Sequence, residues 1–146
     1  MPTARRSRTI SAPVEDLWGV IADPHHLPRW WPRVNRVEDV DGDAFTEVMT
    51  TAKGKVVRAD FQLVQVEEGT RRLRWEQRVD GTPFANLLKS ASTEVRLTPA
   101  GPATEVTIEL RQTLNGFFAR FGGYMVNRAA AATIEDALNG LERISG

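Results

Sequence analysis

Residues 34–115 of this chain are written in a period of two, and the stretch after them in the period of a helix. In 71–79, Leu73, Trp75, Gln77 and Val79 share one face, and Arg72, Arg74, Glu76 and Arg78 share the other. In 104–114, Val106, Ile108, Leu110, Gln112 and Leu114 oppose Glu105, Thr107, Glu109 and Arg111. In 55–67, Val57, Ala59, Phe61 and Leu63 oppose Arg58, Asp60 and Gln62. Successive side chains of a strand point to opposite faces, so this alternation specifies an antiparallel sheet with one buried face. After Leu63 the phase slips, because Val64 and Val66 fall on the other face; a bulge or an edge effect is expected there. Further strands are expected at 34–40, 45–51 and 87–98. Asp41-Gly42-Asp43, Lys53-Gly54, Glu68-Gly69 and Pro99-Ala100-Gly101-Pro102 punctuate them as turns.

From Phe117 to about Arg143 the chain reads as one long helix. Residues 129–132 are a strong helix-forming alanine run, and Ile134, Leu138 and Leu141 make an apolar stripe. Gly122-Gly123 interrupts the first third. Glycine inside a helix costs about 1 kcal/mol relative to alanine, so the pair marks a kink, a close approach, or room for something else. There is no repeat and no low-complexity linker, and 146 residues suit a single domain spanning 1–146.

The first thirty residues are of a different kind. A strand is expected at 4–11, and a helix at 13–22 opened by Pro13, with Glu15 and Asp16 in its first turn. Asp23-Pro24 ends it, because the residue before proline is pushed out of helical conformation. A tighter helical turn through 25–30 then presents Trp30 and Trp31 ahead of Pro32. This order of strand, Pro-capped helix ending in Trp-x-x-x-x-Asp-Pro (Trp18 to Pro24), and Trp-Pro segment resembles the START-like superfamily. That group includes polyketide cyclase/dehydrase-type and lipid-transport proteins with the birch-pollen-allergen-like fold. The resemblance covers nearly the whole chain. It implies an α+β helix-grip fold, in which a curved antiparallel sheet wraps a long C-terminal helix. Two short helices and an internal hydrophobic cavity complete the implied architecture.

Charge and composition exclude several other classes. Nineteen basic and nineteen acidic residues cancel, so nothing in the overall charge supports a nucleic-acid partner. Arg5, Arg6 and Arg8 form a small basic arm, read as the solvated face of a strand. With no cysteines, disulfides, thiolate metal sites and cysteine nucleophiles are excluded. No apolar run approaches the roughly 20 residues of a membrane-spanning helix. No secretory or lipidation signal is recognisable, so a cytoplasmic location is expected. Asp39-Val40-Asp41-Gly42-Asp43 has a calcium-loop flavour, but Ala44 and Thr50 hold the positions that need glycine and glutamate. His25 and His26 are adjacent and face different ways, so no metal site and no cofactor are expected.

Candidate ligand-binding residues come from the inward faces. Gln77 and Gln112 are polar residues at apolar positions, and Thr93 is in phase with Ala91, Val95 and Leu97. A buried glutamine without a partner costs about 1–3 kcal/mol, a cost that a wet cavity removes. Lys89 falls in the same phase as Thr93. Trp30, Trp31 and Trp75 could stack on a flat apolar ligand, and Phe61 of the apolar face of 55–67 is a further candidate; of Trp30 and Trp31, Trp30 is expected to touch the cavity. Phe117, Phe121, Tyr124 and Met125 cluster at the Gly-Gly interruption, where the resemblance places the pocket and its entrance. One turn on, Arg128 could pair with a ligand carboxylate.

Three functions fit these features. The first is binding, with or without transport, of a small hydrophobic ligand such as a lipid, a polyketide or an aromatic metabolite. The second is a cyclase/dehydrase-type enzyme working in the same cavity. It should show a titratable pair within hydrogen-bonding distance inside the pocket. Tyr124, Arg128, Gln77 and His25 are its candidate groups, with no catalytic residue assigned. The third is a protein-interaction module, marked by a filled core and an exposed apolar patch. A homodimer is compatible with all three.

Overall fold

The computed structural model describes residues 3–145, with the backbone alone at Phe117 and Phe118. Seven strands form one antiparallel sheet: β1 (Thr3–Ile10), β2 (Val34–Asp41), β3 (Ala44–Thr50), β4 (Val56–Glu67), β5 (Arg72–Gln77), β6 (Leu88–Ala100) and β7 (Ala103–Leu114). β2 to β7 follow one another as hairpins, and β1 pairs with the far side of β7, giving the order β1-β7-β6-β5-β4-β3-β2. The two edge strands are therefore consecutive in the chain. α1 (Val14–Ile21), a single 3-10 turn (Pro24–His26) and α2 (Leu27–Trp30) carry the chain between them. After β7 come α3 (Gly116–Phe121) and the long α4 (Gly123–Ser145). This is the helix-grip arrangement.

Pairing slips in β2, β4 and β6. Each slip inserts an unpaired residue that bends and twists its strand, which is how a sheet curves around a helix. In β4 the slip falls at Val64. Leu63 lies opposite Trp75, and two residues of β5 later Val66 lies opposite Leu73. The phase change read after Leu63 is this bulge. In β6 the slip lies between Leu88 and Ser90. It puts Leu88 inside, at 5% exposure, and turns Lys89 outward, opposite to the phase expected from the alternation.

The core lies between the inner face of the sheet and α4. Ala130, Ile134, Ala137, Leu138 and Leu141 of α4 are buried against Leu73, Val95, Leu97, Val106 and Ile108. Such burial stabilises by roughly 25 cal/mol per Å² of apolar surface removed from water. The helix's polar flank is tied to the edge of the sheet. Arg8 of β1 sends Nη2 to Glu135 Oε2 and Nη1 to Glu142 Oε1, both at 2.6 Å, and Nη1 also donates to Asn139 Oδ1 at 2.6 Å. Those three positions lie on one helix face, so Arg8 is a clamp rather than a solvated strand residue.

The chain between the edge strands is held at both ends. Pro13 serves as the N-cap of α1, with extended ψ of 150°, and the helix begins one residue later than expected. Arg71, in the β4–β5 turn at φ +53°, pairs with Glu15 of α1, and its guanidinium lies 5.8 Å from the Trp18 ring centre. A left-handed non-glycine residue is costly, and these contacts hold it there. The single helix expected from Phe117 to Arg143 is divided at Gly122 into α3 and α4. No helix among the described residues is long and apolar enough to cross a membrane.

Candidate functional site

Where α4 starts, it stands off the sheet, and a partly open pocket of about 310 Å³ lies between them. Its walls come from every layer. β3 supplies Glu47 and Met49, β4 Phe61, β5 Trp75 and Gln77, β6 Ala91 and Thr93, and β7 Leu110 and Gln112. Val126, Ala129, Ala130 and Thr133 of α4 form the roof, and Trp31 and Leu87 close the ends. Cross-strand register explains the sheet side. Trp75, Thr93 and Leu110 are directly opposite one another across β5, β6 and β7, and Ala91 is opposite Gln112. The roof is made of small side chains, and that leaves the room. A second small cluster of Val79, Leu88 and Leu114, with Phe84 and Val126 against it, packs beside this end of the sheet.

Five of the expected residues meet here: Phe61, Trp75, Gln77, Thr93 and Gln112. Trp30 does not line the pocket. It is 2% exposed in the core, and its indole meets Trp31 edge-on with ring centres 5.4 Å apart. Trp31 in turn meets Trp75 at 5.6 Å and 75°. The three indoles thus form a ladder from core to pocket, with Trp31 rather than Trp30 at the pocket wall. The cause is the four-residue α2: Trp30 is its last buried residue, and the chain leaves helical conformation at Trp31.

Phe121, Tyr124 and Met125 are 64%, 77% and 73% exposed, and none of them lines the pocket. Arg128 is likewise exposed and outside it. Each helical residue turns the side chain by about 100°, so the roof residues Val126, Ala130 and Thr133 share a face that Tyr124 and Arg128, two positions away from Val126, cannot join. The side chain of Phe117 lies outside the described residues.

Glu47 also lines the pocket and is not among the site residues expected from the sequence. It is 2% exposed on the inner face of β3, in phase with Phe45 and Met49. Its strand neighbours are Val37 on β2 and Ala59 on β4, while Thr46 turns to the other face and donates to Asp60 at 2.6 Å. Among the described residues, the Glu47 carboxyl has no hydrogen-bond or ion-pair partner. Burial raises its pKa from 4.5 to about 8, because a charge there would lose its water. At neutral pH the group is therefore chiefly a neutral acid, able to donate a hydrogen bond. The signal was present in the alternation: a glutamate between Phe45 and Met49 at an apolar position.

His25 has an orienting partner. Its Nδ1 lies 2.9 Å from Asp23 Oδ1, and Asp23 also accepts from the His25 backbone N–H. Burial alone would raise the Asp23 carboxyl. The His25 hydrogen bonds and the histidine charges outweigh it and hold the carboxyl below its ordinary value. This pair lies outside the residues that line the pocket, and the His25 side chain is 62% exposed. Among the described residues, no three His, Asp or Glu side chains gather as a metal site.

The profile of a family described as polyketide cyclase / dehydrase and lipid transport matches residues 1–146. The chain belongs to that family. Solved structures share the fold at low identity. A START superfamily protein from Mycobacterium smegmatis superposes with a TM-score of 0.78 at 15% identity, covering 98% of this chain and 96% of that one. A conserved protein from Geobacillus kaustophilus gives 0.78 at 17% identity, over 97% and 93%. The di-domain ARO/CYC protein StfQ of the steffimycin biosynthetic pathway gives 0.79 at 15% identity, over 99% of this chain and 50% of that one. None of the curated proteins compared with the chain matches it.

Proposed function

We propose that this protein binds a small hydrophobic molecule, of the lipid, polyketide or aromatic-metabolite kind, in the pocket between α4 and the sheet. One observation carries the reading. The pocket has an apolar, aromatic lining with a few polar groups (Gln77, Thr93, Gln112, Thr133, Glu47) spaced around it. That is the usual make-up of a small-molecule site, and about 310 Å³ is near the lower end of the range for such sites. Burial of apolar area supplies affinity, and the polar groups orient the ligand. Trp31, Phe61 and Trp75 are the aromatic contacts in this reading. The protein acts as one cytoplasmic domain without a cofactor, and it either carries the ligand or keeps it from water.

A cyclase or dehydrase would need a proton donor and a proton acceptor close together. Glu47 is the sole carboxylate among the described lining residues, and no second titratable group stands beside it there. The arrangement therefore supports binding over acid–base catalysis. Native mass spectrometry of the protein after exposure to a hydrophobic-metabolite extract of its source cells tests the reading. A discrete added mass is expected. A clean apo mass, with a control carrier loaded from the same extract, would contradict it and shift weight to the interaction module.

A further inference from the structure

Glu47 is costly to the fold and does nothing visible for it. A carboxyl at this inner-face position breaks an apolar row between Phe45 and Met49, where a hydrophobic residue of similar size would pack without losing hydration. It makes no ion pair and no hydrogen bond among the described residues, so no internal network accounts for it. It does border the pocket. A polar group that is buried, unpartnered and set in the wall of a pocket is satisfied by what enters the pocket.

The chemistry of that occupant follows from the groups around Glu47. Val37 on β2, Ala59 on β4, Gln77 on β5, Thr93 on β6, Gln112 on β7 and Thr133 on α4 face the same side of the sheet or the same space. None of them carries a charge, and the described lining holds no cation. A ligand carboxylate or phosphate would meet no counter-charge and would be held beside a carboxyl. A ligand with only hydrocarbon at this wall would leave the carboxyl unsatisfied. An uncharged acceptor oxygen meets both conditions, taking the proton that the neutral acid offers.

We propose that Glu47 is the specificity-determining group of the pocket, and that its carboxyl donates a hydrogen bond to a ketone or quinone oxygen on an otherwise apolar, uncharged ring system. This rests on the pocket-binding function above and deepens it. Glu47 recognises the ligand by a donor that ionisation removes, so affinity for such a ligand falls as the solution becomes alkaline.

The test uses a matched pair of probes, 2-acetylnaphthalene and 2-isopropenylnaphthalene, which differ in an oxygen against a methylene. Quenching of the fluorescence of Trp31 and Trp75 reads the binding of each. At pH 6 the wild-type protein should prefer the ketone by about tenfold, the size of one net hydrogen bond in a dry site. Glu47→Leu should bring the preference close to one while still binding the hydrocarbon. Glu47→Gln, which keeps a donor of the same shape, should hold the preference to within about threefold. From pH 7 to pH 9 wild-type affinity for the ketone should drop by about fivefold, and that of Glu47→Gln should not change.

Equal binding of the two probes by the wild-type protein would overturn the proposal. So would a preference that survives Glu47→Leu, or tighter binding of 1-(2-naphthyl)ethylamine than of the ketone at pH 7. Failure of every probe to bind would remove the pocket-binding reading and this inference with it, an outcome distinct from hydrocarbon binding without preference. Near-ultraviolet circular dichroism of each variant keeps loss of fold apart from loss of the donor.

Discussion

Gly140 of α4 lies so close to Trp30 of α2 that a Cβ built on it would stand 2.3 Å from the Trp30 carbonyl oxygen. That contact seats the short helix against the long one and fixes where the tryptophan ladder begins. A glycine inside a helix is normally a defect of about 1 kcal/mol, so its replacement by alanine should stabilise. Here the neighbour is backbone and cannot swing away. Gly140→Ala should therefore destabilise by about 1–3 kcal/mol, as overpacking does. Gly19 in α1 is the control, since nothing lies within 4 Å of its Cβ position. Gly19→Ala should stabilise by up to about 1 kcal/mol. Thermal unfolding of the two variants should show opposite signs; equal signs would remove the close approach as the reason for Gly140.

Glu47 should make stability depend on pH in a definite direction. Its pKa is raised by folding, from 4.5 to about 8, so the folded state holds the proton more tightly than the unfolded state. The contribution of that proton is fully present below pH 4.5 and is lost as pH rises through about 8. Within that window wild-type stability should fall relative to Glu47→Gln by about 1.4 kcal/mol per pH unit. Urea unfolding at several pH values measures the difference. A wild-type-minus-variant curve that stays flat would mean that Glu47 is hydrated in the native state.

The two adjacent tryptophans should separate cleanly. Trp31→Ala removes pocket wall and should weaken binding of a bicyclic hydrocarbon by about tenfold. Trp30→Phe should destabilise the fold but leave that binding within about twofold, because Trp30 does not line the pocket. Isothermal titration of both variants checks this. The reverse pattern would place Trp30 at the ligand.

His25→Ala should leave ligand binding unchanged. The His25–Asp23 pair is exposed and caps a 3-10 turn away from the pocket lining. A large loss of binding or of any turnover in this variant would revive a catalytic role for the histidine.

Much of the architecture could be read from the order of residues, because side chains in a sheet must alternate. Leu73, Trp75, Gln77 and Val79 announce an inner face whatever packs on it, and even the β4 bulge shows as a change of phase. What failed was local register. Lys89 and Thr93 look equivalent on paper, and one slip between Leu88 and Ser90 separates them. Trp30 and Trp31 could not be told apart because a single turn of helix has too little pattern to set its own rotation. The exposed Tyr124, Met125 and Arg128 were within reach. Stepping back by fours from Ile134 gives Ala130 and Val126, the roof residues, and passes the aromatic cluster by. Glu47 is legible by the same alternation that reveals Gln77, since it holds the inner-face position between Phe45 and Met49.

The most direct test of the pocket is to see where a probe sits. Methyl groups of the protein can be followed by two-dimensional NMR while 2-isopropenylnaphthalene is added. The account predicts saturable shifts at Met49, Thr93, Leu110, Val126 and Ala129, with Val56 and Met125 unaffected. Shifts confined to exposed Met125 and its neighbours, or no saturable shift at all, would contradict it.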